Sequence, residues 1–372
     1  MGLRIERIEF RQFRNYESFH LDGIGGLTVF IGPNAVGKTN ILEGIQLLTS
    51  SYSFRHPQLA QLICDSHDEA FISLEAGDGN RQINIALSIV SGKKGFSING
   101  KGKTAADVRG VLPSIIFTPD DLQLVKHSSS VKRAALDNLG MQLTRTYYVV
   151  RKDYEKTIRY KNRLLKEEAS TALIESINET LVTCGAQLFC LRSALFERMV
   201  PEVSHAYERL SNGGEPFSAI YRPSWNRMAK DEERNYTSNR DEVREKLASE
   251  LVKWGLEERN RKRCLIGPHN DEIVFELANR DASVFASQGQ QRSIVLSWKL
   301  AEVEMVNQIL GVKPVLLLDD VLSELDGARR EMLVQFVTDD IQTFITATDL
   351  DGFADSFVRK ARVVKLPMET AR

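Results

Sequence analysis

The chain has 372 residues, 42% of them hydrophobic and 27% charged, with a formal net charge of -1. This is ordinary globular usage and excludes collagen-like and disordered classes, while no apolar run approaches the ~20 residues that cross a bilayer. Cys64, Cys184, Cys190 and Cys264 form no C-x-x-C pair, so neither a zinc site nor a redox couple is expected, and reduced thiols in a cytoplasmic chain fit best.

The length suggests two domains, or one domain carrying a large insertion. The first 125 residues read as strand-rich: Leu27–Ile31 is a short buried strand, and Arg81–Val90 alternates apolar and polar residues. Phe96–Ile98 runs into Asn99-Gly100, a strong hairpin-turn signal, and Ser114–Phe117 is a further strand. From about 126 to 265 helical periodicity takes over. Ile174, Ile177, Leu181, Cys184, Leu188, Leu191 and Leu195 alternate spacings of three and four, which predicts one face of a long helix. Glu167–Thr171 is the expected joint with a preceding helix, giving an antiparallel pair. Beyond 265, α/β character returns with strands at Ile273–Leu277, Val315–Asp319 and Thr343–Thr346 and a helix near Gln290–Leu310. The simplest account is one α/β domain built from both chain ends, 1–125 and 266–372, interrupted by a mainly helical lobe, 126–265.

Gly32-Pro33-Asn34-Ala35-Val36-Gly37-Lys38-Thr39 matches G-x-x-x-x-G-K-[ST] in full, after a strand and before the apolar helical positions Ile41, Ile45 and Leu48. Glycines let the backbone curl so that its N–H groups point inward, and the helix N-terminus adds a positive field. Lys38 then reaches the β- and γ-phosphates of a nucleotide, and Thr39 offers its hydroxyl to Mg²⁺. Val315-Leu316-Leu317-Leu318-Asp319-Asp320 is a buried strand ending in two carboxylates. Asp319 is placed for the Mg²⁺ shell, and Asp320 to orient or deprotonate the attacking water, which assigns Lys38, Asp319 and Asp320 to catalysis.

The near-neutral total hides an uneven distribution. Residues 126–166 hold eleven Lys or Arg against three Asp or Glu, a local +8 within a chain that is otherwise -9. Tyr147, Tyr148, Tyr154 and Tyr160 are interleaved, and Arg259-Asn260-Arg261-Lys262-Arg263 forms a second basic run. A solvated helix face explains such a run as readily as DNA does; if DNA binds, Lys132, Arg133, Arg151, Lys152, Arg159, Lys161 and Arg163 are the candidate contacts, reading backbone and shape.

Ser287-Gln288-Gly289-Gln290-Gln291-Arg292 stands before a helix, 32 residues ahead of Asp319. It resembles the signature motif of ATP-binding-cassette ATPases in the form used by their SMC-like branch. Ser323-Glu324-Leu325-Asp326 resembles the loop after the acidic strand in that superfamily. Across the chain the resemblance is to the RecF family of bacterial replication and recombination-repair proteins. It is carried by Phe13-Arg14-Asn15-Tyr16, Lys38-Thr39-Asn40, Pro119-Asp120-Asp121-Leu122, Gly267-Pro268-His269 and the motifs above. Departures are Thr348 in place of a switch histidine, aspartate in place of a glutamine loop near Asp120, and Asn270 in place of an arginine.

The resemblance implies an ATPase head of the cassette type. ATP would be bound by Gly32, Pro33, Asn34, Ala35, Val36, Gly37, Lys38, Thr39, Asn40, Ser287, Gln288, Gly289, Gln290 and Asp326, with Ser287 and Gly289 of one chain meeting the γ-phosphate held by another. It further implies weak DNA-stimulated ATPase activity, an ATP-dependent homodimer, and double-stranded DNA near single-strand gaps as partner. RecR, with RecO, and recombinase loading are implied by the same resemblance. Arg11 and Arg14 are candidates to touch nucleotide, and His269 reads as a packing residue. The rival reading is the ATPase subunit of a membrane transporter, which would ordinarily carry the histidine and glutamine switches; a phosphate-loop kinase leaves the signature motif unexplained.

Overall fold

The computed structural model describes residues 2–211, 213–226, 236–337, 340–350, 353 and 355–367. Its strands are β1 (Arg4–Phe13), β2 (Tyr16–Asp22), β3 (Leu27–Ile31), β4 (Glu69–Gly77), β5 (Gln82–Val90), β6 (Lys93–Ile98), β7 (Lys101–Lys103) and β8 (Ser114–Phe117). They continue with β9 (Phe217–Arg222), β10 (Glu272–Leu277), β11 (Arg280–Asp281), β12 (Val315–Asp319), β13 (Thr343–Ala347) and β14 (Arg362–Lys365). Two compact units result: Met1–Leu122 with Glu302–Arg372, and Gln123–Ala301.

The first unit holds a parallel sheet in the order β14-β3-β13-β12-β8 and an antiparallel sheet in the order β2-β1-β4-β5-β6-β7. The three central parallel strands, β3, β13 and β12, are short and mostly apolar, as expected of strands buried on both faces. The helix Lys38–Ser50 packs Ile41, Ile45 and Leu48 into the core shared with the antiparallel sheet. Gly44 makes this approach possible, because a Cβ there would lie 2.4 Å from the Phe10 ring. Gln342 fastens β1 from inside the core: its amide accepts from Ile5 N–H at 2.7 Å and donates to the Ile5 carbonyl at 2.8 Å.

β1 escapes a period-two reading for a definite reason. A bulge between Ile5 and Arg7 resets the register against β4, so Ile5 and Ile8 are both buried at an odd spacing. The hairpin from β6 to β7 turns at Asn99 and Gly100 with φ of 51° and 72°, both positive as its two-residue turn requires.

The second unit contains the expected helical pair, Arg145–Lys166 and Thr171–Ser211. Ile174, Leu181, Leu188 and Leu195 are buried along the seam. Leu164, Leu165 and Ile174 close a small apolar cluster at the joint. Within the stretch read as helical lies a strand, β9, which pairs with β10 in the register Ile273↔Tyr221 and Phe275↔Ala219. The compact unit runs past residue 265, the expected end of the lobe, to Ala301, because β9 and β10 belong to one sheet.

Candidate functional site

β3 ends at Ile31 and delivers the phosphate-loop motif to the start of the helix Lys38–Ser50. Gly37 has φ of 109°, and a Cβ there would meet the Asn15 amide at 2.6 Å and the Tyr16 hydroxyl at 2.8 Å. Gly32 is packed against the Leu366 carbonyl, 2.5 Å from where its Cβ would stand. Gly32 is therefore demanded by the backbone carbonyl it faces, and Gly37 by its positive φ. Asn15 steadies the loop from outside, donating to the Val36 carbonyl at 3.0 Å and accepting from Asn40 at 2.7 Å.

Lys38 is 7% exposed, and its ammonium donates to the carbonyls of Gly32 at 2.7 Å and Pro33 at 3.0 Å. Thr39 donates its hydroxyl to Asp319 Oδ1 at 2.8 Å, joining residues 280 positions apart. The same oxygen accepts from the Thr346 hydroxyl at 2.9 Å. Asp320 follows β12 in the left-handed region, with φ of 52°, an uncommon conformation for a non-glycine residue. Its N–H donates to Thr346 Oγ1 at 2.9 Å, and its carbonyl accepts from Ser323 at 2.7 Å.

Burial raises the pKa of both carboxyls. For Asp319 the hydroxyls of Thr39 and Thr346 and the Arg55 charge work against the rise; for Asp320 the Lys38 charge does so first. Thr39 and Asp319 supply two adjoining hard oxygens, a donor set suited to Mg²⁺, which keeps its other positions for phosphate oxygens and water. Among the described residues no group of three or more His, Cys, Asp or Glu could hold a metal unaided.

An open polar cavity of about 650 Å³ adjoins the loop, lined by Arg14, Asn15, Asn40, Arg55, His56 and Gln61 among others. Beneath it Glu43, wholly buried, accepts two hydrogen bonds from Arg14, at 2.7 and 2.8 Å, and one from Ser53 at 2.5 Å. Arg14 is thereby committed to Glu43. Arg11 pairs with Glu9 and lies over the Phe71 ring. Sequence reasoning missed Glu43 and Thr346; the signals available were a carboxylate on the apolar face of a helix and a threonine at the end of a buried strand.

The family profile described as RecF/RecN/SMC N terminal domain matches residues 4–368. The DNA replication and repair protein RecF of Lactobacillus delbrueckii subsp. bulgaricus is 33% identical over 367 residues, covering 96% of this chain and 94% of that one. The protein of the same name from Symbiobacterium thermophilum is 36% identical over 352 residues, covering 93% and 92%. The chain belongs to the RecF family. Among solved structures, the recombination mediator protein RecF described as RecF-ATPrS in the RecFOR pathway superposes with a TM-score of 0.87 at 28% identity, covering 95% of this chain and 94% of that one. An Smc head domain from Pyrococcus furiosus shares the fold, with a TM-score of 0.51 at 14% identity.

In this RecF-family chain the signature segment begins the helix Gln288–Leu310, in the second compact unit. Ser287 and Gln290 cap one another: Ser287 N–H donates to Gln290 Oε1 at 2.8 Å, and Gln290 N–H to Ser287 Oγ at 3.2 Å. Gln290 also donates to Glu215 at 2.6 Å, while Ser287 and Gln288 are exposed. In the first unit Asp326 caps the helix Gly327–Phe336, accepting from Arg329 N–H at 3.1 Å. Thr348, at the switch-histidine position, donates to Asp349 at 3.1 Å, and the carboxylate of Asp121 is taken up by Thr118.

The seven nominated DNA contacts divide. Lys161 is fully buried and paired with Glu258 at 2.6 Å; Lys132 is 5% exposed and lies over the Phe275 ring. Arg133 donates to the Asp271 carbonyl, and Arg151 to Asp137 at 2.7 Å. The expectation that these four face DNA is corrected: Lys161 and Arg151 are turned onto carboxylates, Lys132 onto an aromatic ring and Arg133 onto a backbone carbonyl of the same unit. Lys152, Arg159 and Arg163 are exposed, and with Lys156 and Lys166 they recur every three or four residues along one face of the helix Arg145–Lys166. Arg163 sits over the Tyr160 ring at 5.0 Å. The second basic run is largely occupied: Arg259 reaches Thr171, Arg261 Glu257 and Lys262 Glu168.

His269 is held by Tyr154 OH at 2.7 Å and lies 3.2 Å from the Cys264 carbonyl, and burial lowers its pKa to about 4. It packs, as its sequence context suggested. It borders a buried network in which Asp137 accepts from Arg192 at 2.8 and 2.9 Å and from Tyr147 at 2.7 Å.

Proposed function

We propose that the chain is an ATP-driven switch of recombinational repair and replication restart. It is a weak, DNA-stimulated ATPase that dimerises head to head around two ATP molecules and binds double-stranded DNA near single-strand gaps. It works with RecR and RecO in loading the recombinase. The observation that carries the reading is the cluster Lys38, Thr39, Asp319 and Asp320, which two parallel strands and one helix N-terminus assemble from the two ends of the chain. The descriptions of RecF relatives bound to ATP, in the RecFOR pathway, support it.

In this reading Lys38 leaves the Gly32 and Pro33 carbonyls for the β- and γ-phosphates, where its charge offsets that of the nucleotide. Thr39 and Asp319 hold Mg²⁺, which withdraws charge from the phosphate oxygens when bound. Asp320 orients the attacking water and accepts its proton. A γ-phosphate also needs donors on its outer face, and the exposed Ser287 and half-buried Gly289 at a helix N-terminus of a second copy supply them. The exposed stripe Lys152, Lys156, Arg159, Arg163 and Lys166 is the DNA track, reading phosphates rather than base edges.

Light scattering with ATP, ADP and no nucleotide, on wild type and Ser287→Arg, tests the switch. ATP alone should dimerise the wild type, and Ser287→Arg should bind ATP normally yet neither dimerise nor hydrolyse it. Asp320→Asn should bind ATP, dimerise and turn over roughly 100-fold more slowly, the worth of a positioned general base. A wild type that stays monomeric with ATP even on DNA would sink the sandwich.

A further inference from the structure

Thr346 stands in the middle of the parallel sheet on β13, 1% exposed, with Phe344, Ile345 and Ala347 as its buried strand neighbours. A valine would satisfy packing and strand propensity equally well there, so its hydroxyl needs a reason. That hydroxyl has one proton and two lone pairs, and both kinds of site are engaged. The proton goes to Asp319 Oδ1 at 2.9 Å, and a lone pair takes the Asp320 N–H at 2.9 Å. One atom therefore grips the side chain of the first acid and the backbone of the second.

The two grips have different consequences. Asp319 Oδ1 receives Thr39 and Thr346 together, so the second hydroxyl keeps the carboxylate turned toward the phosphate loop while Thr39 engages a ligand. Asp320 has left the strand and sits at φ 52° and ψ 16°. Its N–H no longer serves the sheet ladder, and Thr346 both satisfies it and holds the turn that aims the Asp320 carboxyl.

We infer that Thr346 is the positioning residue of the acidic pair, orienting Asp319 and Asp320 together through a single hydroxyl. The inference rests on the ATPase reading above for its kinetic consequence, and on the hydrogen bonds alone for its effect on nucleotide affinity.

The test compares full-length wild type, Thr346→Val and Thr346→Ser, using a fluorescent ATP analogue with and without Mg²⁺, ATP turnover on gapped DNA, and thermal melting. Thr346→Val should bind the analogue like wild type without Mg²⁺, because Lys38 and the loop are untouched. Its turnover should fall roughly 10- to 100-fold, the worth of a hydrogen bond to a charged group. Its gain in affinity on adding Mg²⁺ should also shrink. Thr346→Ser should restore both. In an Asp320→Asn background the valine should cost less turnover, since one of the two groups it aims is already disabled, while its smaller Mg²⁺ response through Asp319 should remain. If the valine melts early, Thr346→Ala takes its place in the comparison. Loss of fold in both, with serine intact, would make the hydroxyl structural and overturn the inference. So would a valine variant with wild-type turnover and Mg²⁺ response, or a serine as impaired as the valine. A wild type with no turnover would refute the ATPase reading instead, leaving the Mg²⁺ response to decide the role of Thr346.

Discussion

Lys38 and Lys161 are both withdrawn from solvent, and the two are held in opposite ways. Lys161, in the second unit, meets the Glu258 carboxylate at 2.6 Å, and both side chains are buried. Lys38, in the first, is held by two backbone carbonyls, and among the described residues no carboxylate lies within ion-pair distance. A cation neutralised by a buried anion has no field left for a ligand. One held only by neutral dipoles keeps most of its charge available, and a polyphosphate can displace those dipoles. Burial is similar at Lys38 and Lys161; the charge of the partner is what differs.

The largest effect should come from the paired lysine. Lys161→Met leaves Glu258 buried without a counter-charge and should lower the unfolding free energy by about 3–5 kcal/mol in urea titrations. Adding Glu258→Gln should recover part of that loss. Full stability in Lys161→Met would erase the contrast.

Lys38→Ala should do the reverse. ATP affinity should fall roughly 100-fold, about the worth of a strong charge-assisted hydrogen bond, while the urea midpoint stays near wild type. Wild-type affinity in that variant would remove the phosphate-loop assignment.

A smaller effect concerns pH in the second unit. His269 is held near pKa 4 chiefly by burial, with the Cys264 carbonyl opposing and the charges of Arg133, Lys161 and Arg192 adding to the depression; Asp271 and Tyr154 face the same region. The unfolded chain takes up this proton near pH 6.5 and the folded chain does not until about 4. Stability is therefore undiminished above pH 6.5 and falls as pH drops toward 4, by about 2 kcal/mol between pH 7 and 5. The reading is the difference between wild type and His269→Gln, since Asp137 and Asp271 titrate in both. Parallel curves would show that the imidazole contributes nothing.

The smallest effect should be on DNA. Reversing Arg159 and Arg163 to Glu should flatten the salt dependence of binding by about 0.9 in log–log slope for each duplex phosphate that is no longer neutralised. Reversing Arg133 or Arg151 should act through stability instead. An unchanged slope in Arg159→Glu/Arg163→Glu would reduce the stripe to a solvated helix face.

The phosphate loop, the acidic strand β12, the Asn99-Gly100 turn and the long helix seam were all legible in the sequence. Each is written in contiguous residues, through turn sterics, the period of a helix or the apolar run of a buried strand. Other features were not, because they depend on which distant residue arrives as a neighbour. Charge can be summed along 126–166, but whether Lys161 is offered to solvent depends on Glu258, 97 positions away. The same holds for Arg14 on Glu43 and for Thr346 beneath Asp319 and Asp320. β9 also belongs here, since its pairing with β10 extended the lobe past 265. The sequence by itself thus determined the chemistry available and the local elements that carry it. Tertiary structure decided which charges are spent and which remain for a ligand, because pairing and desolvation depend on distance through space.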